Sequence, residues 1–217
     1  MKQHREVKSP RARPRVAPPV ATPDSLEGID GIACMLELEG EAGFLLWRTL
    51  RNVRLWASTP AASRSGLFVP EAYDRRVAEI LTLDLGAQPH DAFMGLAAVL
   101  RGGQGPPPRT VAMNCLLLAR WAESRGMQVA ALELAHAAAI ACPEDAYFAL
   151  QAGRQARDLA RHALAEGWLQ RAVVVAREMA DWHTYARAHI AFGYMLNTRG
   201  NFRGARRHLQ RAAARCR

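Results

Sequence analysis

The sequence predicts an all-α protein, and three observations carry that expectation. Alanine fills 41 of the 217 positions, mostly after Ala112, a composition that favours closely packed helices over strands. Apolar residues recur at the three-and-four spacing of a helix face, first between Glu39 and Ser58. Breaks rich in proline and glycine leave helix-length segments between them. Half of the residues are apolar and 23% are charged, a globular balance, and the length suits one domain or a small domain with an appendage.

Residues 1–27 carry prolines at positions 10, 14, 18, 19 and 23 among arginines and lysines. That composition neither continues a helix nor buries a core, and it predicts a disordered basic arm. From Glu39 to Ser58, Leu46, Leu50, Val53 and Ala57 fall on one stripe and Arg48, Arg51 and Arg54 on another, which defines the first helix. The stretch Ser58 to Gly66 breaks it. Pro70 stands where the first turn of a second helix would begin, running to about Leu83. Pro89 or Asp91 opens a third, ending at Arg101, and Gly102 to Pro108 (GGQGPPP) is a linker that no element crosses. The chain thus divides into the arm, a helical segment with its linker over residues 28–108, and a second helical part over residues 109–217.

Charge is uneven as well as large. The net charge of +9 is almost wholly arginine, since only Lys2 and Lys8 are lysines among 29 basic residues. Residues 1–15 hold six cations against Glu6, and residues 182–217 hold eight arginines and no acid. Such fields imply anionic partners without saying which. Cys34, Cys115, Cys142 and Cys216 form no CxxC pair and have no histidine at a zinc spacing, so a reduced, cytoplasmic chain without metal or cofactor is expected. No apolar run reaches the roughly 18 residues that span a bilayer, and no apolar segment follows the N-terminal cations, so membrane insertion and secretion are disfavoured.

Beyond the linker one spacing recurs. Gly193, Ala205, Leu209 and Ala212 keep one frame; 40 residues earlier it gives Gly153, Ala165, Leu169 and Ala172. From Ala146, a further shift of 34 residues gives Ala119, Ala131, Ala135 and Ala138, with Gly126 at the turn between helices, Gly200 at the matching position, and Pro143 closing the second helix. This resembles the tetratricopeptide repeat family, in three units: Ala112 to Asp145, Ala146 to Tyr185 and Ala186 to Arg217. The family's small residues at the eighth, twentieth and twenty-seventh positions are all Gly or Ala here: Ala119, Gly153 and Gly193, then Ala131, Ala165 and Ala205, then Ala138, Ala172 and Ala212. The chain departs from the family at Cys115, Ala149 and His189, where a large aromatic is usual, and in a second unit six residues too long. An extended helix or loop around Arg177 to Tyr185 would absorb that excess.

The resemblance implies an α-solenoid of three helix pairs, with the helices before residue 102 as its N-terminal cap, because each unit needs a neighbour to bury its face. It also implies a concave ligand surface, built here from positions that include Leu116, Leu150 and Ala191 and, as the candidate peptide groove, Arg120, Tyr147, Gln151, Arg154, Arg157, Arg187, Tyr194 and Asn197. Arg and Tyr combine large contact area with directed donors, as peptide anchors require. The family's clamp for chaperone C-termini wants a lysine and an asparagine where Leu116 and Arg120 stand, which disfavours that partner.

The last helix adds a second candidate. Phe202, Ala205, Leu209, Ala212 and Cys216 form an inward stripe, and Arg203, Arg206, Arg207 and Arg211 form a basic patch on the outer face. No Walker loop, GxSxG elbow or HExxH is present, and seven scattered histidines suggest no catalytic site. Trp47, Trp56 and Trp168 suit a core role and Trp182 an exposed one. The expected function is therefore a non-enzymatic adaptor that holds an acidic protein or peptide in the groove. The alternative is a nucleic-acid-associated or transcription-regulatory factor using the arm and the last helix. The sequence leaves the partner's identity and the oligomeric state open.

Overall fold

A computed structural model describes residues 37, 40–102 and 105–215; the predicted basic arm, Cys34 and Cys216 lie outside them. Among the described residues the protein is all-α, with nine α-helices, two short 3-10 segments and no strand. The helices are α1 (Glu41–Ser58), α2 (Ala72–Leu81), α3 (Ala87–Ala97), α4 (Pro108–Ser124), α5 (Gln128–Ala141), α6 (Ala146–Asp158), α7 (His162–Glu178), α8 (Trp182–Thr198) and α9 (Phe202–Ala213).

Local chemistry sets several of these limits. The break after Ser58 is itself partly regular, since Ala61–Gly66 forms a 3-10 turn. The second helix is shorter than expected: the Thr82 hydroxyl donates to the Glu79 carbonyl (2.7 Å) and ends it at Leu81. After α3 the chain tightens into 3-10 geometry over Ala98–Arg101 and stops at Gly102, with φ of +74°. Pro108 opens α4 in its first turn, where the missing N–H has no partner to lose.

From α4 to α9 each helix packs on the one before it, α3 lies on α4, and α1 lies on α5. Four of the connecting turns are built alike. The N–H of Met127, Arg161, Asp181 and Asn201 each donates to the carbonyl five residues earlier, at 2.8–2.9 Å, and the residue before each has a positive φ. This is the Schellman closure, which satisfies the last carbonyls of a helix. Glycine takes the left-handed position at Gly126 and Gly200, but alanine takes it at Ala160 and Ala180, both at φ 55°. The excess length of the middle segment is absorbed in helices: α7 runs to Glu178, and α8 starts at Trp182, one turn before Ala186.

All nine recurring Gly and Ala positions are buried. At Gly153 an added Cβ would stand 2.8 Å from the Leu169 side chain and 3.1 Å from its backbone nitrogen, and at Gly193 it would stand 2.8 Å from Leu209. The small residues therefore set how closely paired helices approach. A single apolar cluster extends from Leu45 on α1 to Met195 on α8, so the helices before and after the Gly/Pro stretch share one core. The outward stripe expected on α1 is corrected at Arg54, which is buried at 1% exposure. Its guanidinium bonds the Glu133 carboxylate on α5. His136 Nδ1 approaches the other Glu133 oxygen (3.7 Å), and its ring meets Trp168 of α7.

α5 is buried almost all round and has no side chain of its own capping its first turn. Glu37 supplies the cap from outside the helix, accepting from the backbone N–H of Val129 (2.9 Å) and Ala130 (2.7 Å). A carboxylate there satisfies donors that burial would otherwise leave unpaired and also faces the positive end of the helix dipole.

Ala160→Gly should raise stability by about 0.5 kcal/mol, because relief of about 1 kcal/mol of left-handed cost exceeds glycine's extra unfolded-state entropy. Gly153→Ala should lower it by about 1–3 kcal/mol despite alanine's better helix propensity, because the Leu169 backbone cannot withdraw. Urea midpoints moving in the same direction would contradict this. Arg54→Met should cost about 3–5 kcal/mol by stranding a buried carboxylate, and adding Glu133→Leu should restore most of the loss. A double variant no more stable than the single one would show that the pair, and not the stranded charge, carries the energy.

Candidate functional site

The candidate groove lies along α4, α6 and α8. Two adjoining cavities, of about 710 Å³ and about 240 Å³, share Arg154, Asp158 and Arg187. The larger is completed by Arg157, Ile190, Ala191, Tyr194 and Thr198. The smaller adds Leu116, Arg120, Glu123, Tyr147, Gln151 and Gln155, among others. Seven of the eight groove residues read from the sequence thus line one continuous depression. Asn197 is exposed but lines neither cavity. Leu150, mapped to the concave surface, is corrected: it is wholly buried in the core, because its side of α6 turns towards the neighbouring helices.

The arginines are not equivalent. Arg157 is held by Asp158, its Nε and Nη2 donating to the same carboxylate oxygen at 2.8 and 2.6 Å, so its charge is locally matched. Arg120 donates to the Tyr147 hydroxyl (3.1 Å), which orients both side chains without neutralising the cation. Arg154 and Arg187 are half-buried, border both cavities, and have no carboxylate partner among the described residues. A half-buried guanidinium without a counter-charge is a fixed donor set for a carboxylate or phosphate.

Gln155 was missed from the sequence, although it lies four residues from Gln151 on the same face. Its amide nitrogen donates to Glu123 (3.2 Å), and its buried carbonyl oxygen meets no donor. The smaller cavity therefore offers an acceptor beside its cations, a combination that suits a backbone N–H next to an acidic side chain.

Cys115 and Cys142 are free thiols, each pushed up to about 12, Cys115 by burial against a smaller opposing effect of Arg54, Cys142 by burial and then its bond to Glu144. Thiols so held are poor nucleophiles. Among the described residues no three His, Cys, Asp or Glu side chains could hold a metal ion, and no helix is long and apolar enough to cross a membrane. Trp56 and Trp168 are buried, and Trp182 is partly exposed.

His189 of α8 and His208 of α9 meet Nδ1 to Nδ1 at 2.9 Å, so one ring must donate and the other accept. Tyr185 and Phe192 flank them edge-on and tilted. Burial, then His208 and Arg211, push the His189 pKa down to about 4; burial and Arg211 lower that of His208 against a raising effect of Glu166. The folded state thus resists protonation that the unfolded chain accepts near pH 6.5. The pair's contribution is complete above pH 6.5 and is lost as pH falls towards 4. Thermal melts should show the midpoint dropping between pH 7 and pH 5, and His208→Gln should flatten that slope. An unchanged slope in the variant would place its origin elsewhere.

No protein-family model, no curated protein and no solved structure matches this chain, so the meaning of the groove rests on its own residues.

Proposed function

We propose that the protein is a non-enzymatic adaptor with a tetratricopeptide-like architecture, whose groove along α4, α6 and α8 holds an acidic segment of another protein. The observation that carries this reading is the pair Arg154 and Arg187, half-buried, shared by both cavities and without carboxylate partners among the described residues. The solenoid reading is supported by nine buried Gly and Ala positions in one frame and by turns of one construction at Gly126, Ala160 and Gly200. Tyr147 and Tyr194 add aromatic area beside the cations, and Gln155 adds an acceptor for a ligand N–H. The groove acts by position: acids on the ligand meet the free guanidiniums of Arg154 and Arg187 where the two cavities join, while Asp158 already matches the charge of Arg157.

Fluorescence anisotropy against a panel of acidic peptides of about twelve residues tests this. The wild type should select peptides with two separated acids, and Arg154→Glu with Arg187→Glu should weaken them by about 2 kcal/mol or more, since like charges would face each other across the groove. The fold should be unaffected, because neither side chain is in the core. Equal binding of the panel by wild type and double variant would end the groove assignment.

A further inference from the structure

The most unusual surface outside the groove is the outer face of α9. Arg203, Arg206, Arg207 and Arg211 are all exposed, and among the described residues none has a carboxylate partner. Some arginines on other helices are paired, Arg48 with Glu79, Arg109 with Asp145 and Arg157 with Asp158, whereas on α9 all four stand unpaired side by side. The helix dipole does not account for the difference. Arg211 in the last turn is favoured by it, whereas Arg203 stands in the first turn, beside the positive end, where a cation is disfavoured. Four like charges on one helix, one of them placed against the dipole, make a surface complementary to a polyanion.

The second observation separates the polyanions. Phe202, expected to face inward, is instead 68% exposed, and it lies four residues from Arg206, on the same side of the helix. No described helix packs on the far side of α9 to cover it. Leu209 is also partly exposed, but it remains engaged at Gly193 of α8. One free aromatic ring is too little apolar area to seat a helix in a lipid interface, which needs a broad apolar face. It is enough for one base to stack on. A duplex keeps its bases stacked on one another, whereas a single strand presents them, and an aromatic ring flanked by arginines is the usual platform for it. Arginine adds its own planar face and bidentate phosphate geometry. At the other end of the helix the Arg215 guanidinium lies 4.1 Å over the Trp182 ring and holds the last turn on α8.

We propose that this face of α9 binds single-stranded nucleic acid without sequence preference, with Arg203, Arg206, Arg207 and Arg211 on phosphates and Phe202 stacked on a base. The site is separate from the groove, and neither cavity includes any of its residues.

The test is anisotropy of a fluorescein-labelled oligothymidine of about 20 nucleotides with the full-length protein, titrated across salt. Four neutralised phosphates predict a slope of log affinity against log salt of about −3. Arg203→Gln with Arg207→Gln should make that slope shallower by about 1.4 and lower affinity at least tenfold at low salt. Phe202→Ala should lower affinity about ten- to a hundredfold and leave the slope unchanged. Circular dichroism should match wild type in both, since all three side chains are exposed. Wild-type binding by the arginine variant would overturn the proposal and place retention on other cations. So would equal binding of duplex and single strand, tighter binding to phosphatidylserine vesicles than to the oligonucleotide, or loss of binding only with Arg154→Glu and Arg187→Glu.

Discussion

The bond between Arg54 and Glu133 fixes where everything else can sit. It joins α1, near the start of the described chain, to α5, the helix most completely enclosed by its neighbours, and both charges are all but inaccessible to water. An ion pair of this kind contributes little net stability over an apolar pair of the same shape, but it tolerates no alternative arrangement, because any shift of α1 along α5 strands a charge. The contact continues through His136 to Trp168 on α7. One polar line thus sets the register of α1 against two later helices. Glu37 adds a second fastening on α5, closing the open end of that helix from a point 92 residues away in sequence.

Once α5 is placed, small residues govern spacing. Alanine-rich helices have little side-chain volume with which to hold one another apart, so their separation is decided where backbones nearly touch. Gly153 against Leu169 and Gly193 against Leu209 are such places. The rows of arginine and tyrosine on α4, α6 and α8 inherit their spacing from these contacts. A groove assembled in this way is rigid for the same reason that a core is rigid: loosening it opens gaps in close-packed material.

The features legible in the sequence are those that repeat. The frame of Gly and Ala positions could be read because helix–helix contact returns at a fixed interval, and the arginines of the groove followed from it. What escaped depends on partners distant in the chain. Arg54 resembles Arg48 and Arg51 on the same helix, and only Glu133, far along the sequence, distinguishes it. Leu150 resembles Leu116 by position, but neighbouring helices close over it completely. Ala160 and Ala180 hold a backbone angle for which glycine is the usual signal, so those turns leave no mark in the composition. Phe202 matches the apolar period of its helix, yet no described helix lies where that period points.

The continuous apolar cluster ends at Met195 and takes in no residue of α9. That helix keeps only Ala205 and Ala212 buried, and it rests on α8 through Leu209, the two histidines and one cation–aromatic contact. It can therefore unravel while baring little of the main core beyond the Phe192 side that His208 covers, and its amides belong to a separate, low-energy class of opening. Four exposed arginines thus sit on a helix with only two buried residues, so a polyanion that gripped that helix would slow its exchange with solvent while leaving the protection of α1 to α7 as it was.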